Sequence, residues 1–189
     1  MIKGEARTQF YKKVTILFTD FQGFSKLCEN LSPQQIVKEL DKYFSAFDEI
    51  CEKHYVEKIK TIGDAYMCAG GIPMRNNSNP IDVIMVGLEM IEYMKNINRE
   101  KIEAHLPPWE IRVGVNTGSI IAGVIGKHKF AYDIWGTAVN VANRLETSGA
   151  VNKVNISGNT YKYAKDFFDC TSRGKITVKN GEVIDMFFV

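Results

Sequence analysis

The chain has 189 residues, enough for a single domain with a full hydrophobic core. Its 24 basic and 22 acidic residues leave a net charge of +2, which argues against a nucleic-acid surface or an anionic-membrane surface as the main partner. Four cysteines (Cys28, Cys51, Cys68, Cys170) lack zinc or redox spacing, and three scattered histidines (His54, His105, His128) give no metal or His-based site. The cysteines are expected to be reduced, several as small core residues. No apolar run reaches about 18 residues, and the polar start from Met1 to Arg7 does not resemble a signal peptide. The expectation is a cytoplasmic domain over 1–189, with 1–12 a leader from a longer chain.

Taken in order, Val14 to Thr19 is continuously apolar and β-branched, which predicts a strand buried on both faces. It runs into Asp20 and a glycine-containing turn. Ser32-Pro-Gln-Gln35 reads as a helix start, with a serine cap, proline at the first helical position and glutamine at the third. Ile36, Leu40, Tyr43, Phe44, Phe47, Ile50 and Cys51 continue it at helical spacing to about Lys53, their aromatic stripe reading as core.

Val56 to Ile62 and Ala65 to Cys68 are strand-like around the tight-turn pair Gly63-Asp64, which predicts a hairpin. Lys60 lies near the end of its first strand and Asp64 at its tip. A loop from Gly70 to Asn79 precedes a second long helix from about Pro80, ended by Pro107-Pro108. Trp109 to Asn116 and Ile120 to Ile125 read as two strands joined through Thr117-Gly-Ser119, a second hairpin.

Ala131 to Trp135 is a short extended piece leading into a helix from Ala138 to Glu146, on which Asn140 and Arg144 share a face. A short strand (Val154 to Ile156), a short helix (Thr160 to Phe167) and apolar segments around Ile176 and Phe187 complete the chain. This order fits helices packed on a mostly antiparallel sheet, an α+β fold.

Asp20 and Asp64 would each stand at a strand end, where paired carboxylates can hold divalent cations that complete their shell with water and substrate phosphates. That suits two-metal phosphoryl chemistry. Each residue also has an ordinary alternative. Asp20 could cap the following helical turn, Asp64 and Lys60 could simply face water, Asp133 could serve a turn, and Arg144 could form a surface ion pair.

Phe18-Thr-Asp20-Phe-Gln-Gly-Phe24, Lys58-Ile-Lys60-Thr-Ile-Gly-Asp64-Ala-Tyr-Met67, Gly123-Val-Ile-Gly126, Tyr132-Asp133-Ile-Trp-Gly136 and Val139-Asn140-Val-Ala-Asn-Arg144 together resemble the class III nucleotidyl cyclase catalytic domain. The resemblance runs from about Val14 to Val189, and five motifs in order are far more specific than any one.

It implies a ferredoxin-like α+β palm that pairs head to tail as a homodimer, with active sites at the interface. Asp20 and Asp64 match the metal-binding aspartates, for Mg2+ or Mn2+, two per active site. Lys60 and Asp133 match a base-reading pair from the opposite copy, with Asn140 and Arg144 as catalytic residues. Related guanylyl cyclases resemble this pattern with glutamate and cysteine at the two base-reading places, so the lysine and aspartate here favour ATP.

Two positions depart from the family pattern. Ser119 stands where many members have a phosphate-contacting arginine, and Lys179-Asn-Gly-Glu182 keeps only the first lysine of the usual tail, leaving Lys179 as a triphosphate contact. The implied reaction converts ATP to 3′,5′-cyclic AMP and pyrophosphate. The alternatives are a guanylate or relaxed-specificity cyclase, or a weakly catalytic nucleotide-binding regulatory module. The expected partners are ATP, a second copy and a regulatory domain in the full-length protein, with no nucleic acid and no membrane contact within this segment.

Overall fold

A computed structural model describes residues 8–126, 130–178 and 181–189. Strand β1 (Thr8–Phe21) is followed by a one-turn helix α1 (Phe24–Cys28) and by α2 (Pro33–Lys53). The hairpin β2 (Glu57–Ile62) and β3 (Ala65–Gly70) leads to α3 (Asn79–Glu103), then β4 (Ile111–Ile125) and β5 (Ala131–Trp135). Helix α4 (Thr137–Thr147), β6 (Val154–Ser157), α5 (Gly158–Ala164), β7 (Thr171–Thr177) and β8 (Val183–Phe188) finish the chain. The eight strands form one sheet in the order β2-β3-β1-β4-β6-β8-β7, with β5 also paired to β4. Every pairing is antiparallel except β4 with β6. Among the described residues, no helix is long and apolar enough to cross a membrane.

Alternation along β1 builds a core on each face. Leu17 and Phe21 join α2 and α3 residues in one cluster with Tyr43, Phe47, Met90 and Trp109. Val14, Ile16 and Phe18 face the other way, against Met67, Ile120, Ile134 and the α4 residues Ala138 and Ala142. Residues 14–19 are accordingly buried almost throughout, as their unbroken apolar pattern requires. The Ser32 cap forms as read: its side chain accepts from Gln35 N, and the Gln35 side chain accepts from Ser32 N at 2.8 Å.

The second hairpin expected at Thr117-Gly-Ser119 is absent. Those residues lie inside β4, which pairs with β1 from Thr8↔Gly123 to Phe21↔Ile111 with one irregularity between Tyr11 and Val14. Gly118 is there for proximity, because a Cβ on it would come within 2.7 Å of Ala138 Cβ on α4. The hairpin partner of β4 is β5, with Ile121 opposite Trp135 and Gly123 opposite Asp133. The one-turn helix α1 stands where a helical turn after Asp20 was one alternative.

Four strand spacings separate β2 from β5 along the sheet, roughly 19 Å if it were flat. Yet Lys60 Nζ on β2 lies 2.6 Å from Asp133 Oδ2 on β5. The sheet therefore curls over the Val14–Ile134 cluster, bringing its hairpin edge to the β4–β5 arm.

Candidate active site

Asp20 sits at the last turn of β1, directly opposite Arg112 on β4. It shares a sheet face with Ile16 and Phe18, the face covered by α4. The opposite face beneath this end of β1 is fixed by aromatic packing: Phe21 lies 5.4 Å from Tyr43 and 5.3 Å from Trp109, ring centre to ring centre. Trp109 is in turn held by both ends of the buried Asn98 amide, at 2.8 and 2.9 Å. Asp20 does not cap α1, whose cap position is Gly23 without a side-chain bond.

Asp64 reaches the same place from the β2–β3 turn, where Gly63 takes a positive φ of 64°. Thr19 pairs with Tyr66, so the register of β1 against β3 carries Asp20 up to the turn. Burial pushes the Asp64 carboxyl up to about 6, helped by its hydrogen bond to Asp20 and by Asp20's charge, with Arg112 opposing. Asp20 Oδ1 is buried without a hydrogen-bond partner. Two carboxyl groups near enough for Asp20 to raise the Asp64 carboxyl, one with an inward oxygen that has no hydrogen-bond partner among the described residues, form an acceptor set that a hard divalent cation fits. Among the described residues no group of three or more His, Cys, Asp or Glu is placed to hold a metal.

Lys60 and Asp133 form the second element. Asp133 Oδ2 accepts from Lys60 Nζ at 2.6 Å, while Oδ1 accepts from Ile134 N at 2.8 Å. The lysine is thus no free strand cation, and the aspartate is oriented at both oxygens. Only 14% of the Asp133 side chain is exposed, against 39% for Lys60, so the pair is partly sheltered and more strongly coupled than a surface pair.

Asn140 and Arg144 lie on the exposed side of α4. Arg144 makes no ion pair among the described residues. Ser119 is exposed on β4, not in a turn. Lys179 lies outside the described residues.

Two residues absent from the sequence reading complete the surroundings. Arg112 Nη2 lies 3.5 Å from Asp20 Oδ2, and its Nε lies 2.9 Å from Oε1 of Glu146 on α4. Glu146 is almost wholly buried, and burial raises its carboxyl above the ordinary range despite Arg112. A charged residue inside the otherwise apolar Ile111-Arg-Val-Gly-Val115 run was the available signal, but its link to Asp20 depends on strand register.

The chain matches the family model described as "Adenylate and Guanylate cyclase catalytic domain" over residues 6–189. It is 35% identical to an adenylate cyclase of Mycobacterium tuberculosis over 179 residues, covering 95% of this chain and 40% of that protein. It is 38% identical to human guanylyl cyclase C over 164 residues, covering 86% of this chain and 15% of that one. The crystal structure of the adenylyl cyclase CyaB from P. aeruginosa superposes with a TM-score of 0.90 at 31% identity, covering 97% of this chain and 95% of that one. The chain therefore spans well under half the length of these two curated relatives. With its α+β architecture of helices on a mostly antiparallel sheet, this chain belongs to the adenylate and guanylate cyclase catalytic domain family.

Proposed function

We propose that the chain is an adenylate cyclase that makes cyclic AMP and pyrophosphate from ATP at the interface of a homodimer. The observation that carries the choice of base is the Lys60–Asp133 pair, closed at 2.6 Å. Adenine offers a ring-nitrogen acceptor beside an amino donor, which suits an ammonium beside a carboxylate. Guanine presents a carbonyl oxygen and a ring N–H there, leaving Asp133 against an acceptor. Each mismatch of this kind costs roughly 1–3 kcal/mol, at least a several-fold preference for ATP.

Asp20 and Asp64 would hold Mg2+ or Mn2+, two ions per active site, and such ions supply acidification of the ribose 3′-hydroxyl and charge neutralisation on the phosphates. From the opposite copy, Lys60 and Asp133 anchor the base. Asn140 orients the ribose so that its 3′-oxygen meets the α-phosphorus in line with the departing pyrophosphate. Arg144, exposed and without an ion-pair partner among the described residues, neutralises charge developing on the transferring group. Lys179 is assigned to the triphosphate, a contact made more important by Ser119 in place of an arginine.

Dimerisation is supported by a row of exposed apolar side chains. Phe10, Ile121 and Trp135 are cross-strand neighbours on β1, β4 and β5, and they are 54%, 46% and 37% exposed. Ile125, on the same face of β4 as Ile121 and 48% exposed, extends this face. The four cysteines are free, which suits the reducing, ATP-rich cytoplasm. A regulatory domain elsewhere in a longer protein fits the greater length of the relatives.

Likeness to guanylyl cyclase C supports the alternative choice of GTP. Turnover of ATP and GTP with Mn2+ on the purified chain decides between them. Faster ATP turnover is expected, and faster GTP turnover overturns the base assignment. Nucleotide binding without pyrophosphate release would make the chain a regulatory module.

A further inference from the structure

We propose that Glu146 is a positioning residue for the Asp20–Asp64 pair: it holds Arg112 back from Asp20, leaving that carboxylate available to a divalent cation. This rests on the assignment of Asp20 and Asp64 to metal binding.

The argument begins with competition. An arginine directly opposite a carboxylate in an antiparallel pair would ordinarily close on it as a two-pronged ion pair. Such a pair would occupy the oxygens a cation needs. Here the contact stays open: Arg112 Nη2 is 3.5 Å from Asp20 Oδ2, while Arg112 Nε lies 2.9 Å from Glu146 Oε1, an ion pair by distance whose angle makes no hydrogen bond. Asp20 Oδ1 is buried and keeps no hydrogen-bond partner among the described residues.

Glu146 can do this because α4 lies directly on β4. Gly114 makes that approach possible, since a Cβ there would stand 2.0 Å from Glu146 N and 2.6 Å from Ala142 O. The Glu146 carboxyl is therefore fixed by backbone packing, with Thr147 Oγ1 3.3 Å from its second oxygen. Arg112 is the shared cation, pulled toward the deeper and better-held acid.

The test is a titration of free Mn2+ followed by electron paramagnetic resonance, with a non-cyclising ATP analogue present so that no turnover intervenes. Wild type is compared with Glu146→Gln, with the double variant Arg112→Gln/Glu146→Gln, and with Asp20→Asn. Releasing Arg112 in Glu146→Gln should weaken Mn2+ binding about tenfold, the scale of one full charge partner beside a carboxylate. Removing the released guanidinium as well should restore binding to within about threefold of wild type.

Unchanged binding in Glu146→Gln overturns the proposal. So does a double variant that binds as weakly as the single one or more weakly, which is what a purely structural role predicts. If Glu146→Gln fails to fold, the charge-balanced double variant alone decides, and a loss of binding much beyond threefold refutes the idea. Asp20→Asn separates the two levels: unchanged Mn2+ binding there removes the metal assignment itself, whatever Glu146 does.

Discussion

Replacing Asp64 by asparagine should make the metal-free protein more stable while removing its response to metal. The Asp64 carboxyl is pushed from 3.8 up to about 6, first by burial and then by Asp20. A raised carboxyl favours folding only while protonated, so its contribution is present below pH 3.8 and is lost as pH rises through about 6. At full weight such a shift is worth about 3 kcal/mol, and water screening at this partly exposed turn reduces it to about 1 kcal/mol. Asparagine keeps the acceptor oxygen and removes the charge. At pH 7.5 the variant should therefore melt roughly 3 °C higher for a chain of this size. At pH 3.5 the gain should vanish. Thermal unfolding followed by circular dichroism, with and without Mn2+ and an ATP analogue, reads both effects, because ligand stabilises only a chain that binds it. An equal or lower midpoint for the variant at pH 7.5, or a gain that persists at pH 3.5, refutes the electrostatic reasoning.

Other perturbations test separate parts of the structure. Gly114→Ala would drive a Cβ into the α4 backbone at Glu146 and Ala142, so it should cost about 3 kcal/mol or more, measured by urea unfolding. Ser32→Ala removes the reciprocal cap on α2 and should cost about 1 kcal/mol without changing cyclase kinetics. Lys60→Ala should raise KM for ATP and erode the preference over GTP, while leaving thermal stability within about 1 kcal/mol of wild type, as expected for a partly exposed pair. Arg144→Ala should lower kcat by about a hundredfold with little change in KM, because its charge is needed as the phosphoryl group transfers.

Much of this architecture was readable before any coordinates. The capping box at Ser32, the Gly63-Asp64 turn and the unbroken apolar run of β1 are local signals, and each produced the expected element. The misreading at Thr117-Gly-Ser119 had a local cause: a glycine between polar residues looks like a turn, whereas Gly118 makes room for Ala138. Continuity of β4 is enforced by its partner β1, and no short window contains that information. The same holds at the site. Asp20 and Asp64 announce themselves by their strand-end motifs, but the Asp20–Arg112–Glu146 line needs a cross-strand register and a helix resting on a glycine. The Lys60–Asp133 contact spans 73 positions and follows from the curl of the whole sheet.

The central claim is that one copy's Asp20 and Asp64 share a nucleotide with Lys60 and Asp133 of its twin, and mixing two inactive variants tests it most directly. Assayed at an ATP concentration far below the raised KM of Lys60→Ala, the Lys60→Ala and Asp64→Ala chains should each be nearly inactive alone, and cyclic AMP production should rise well above both when they are combined, since the mixed dimer holds one intact site. A mixture as inactive as its two parents, with mixed dimers demonstrated by native mass spectrometry, would contradict the account.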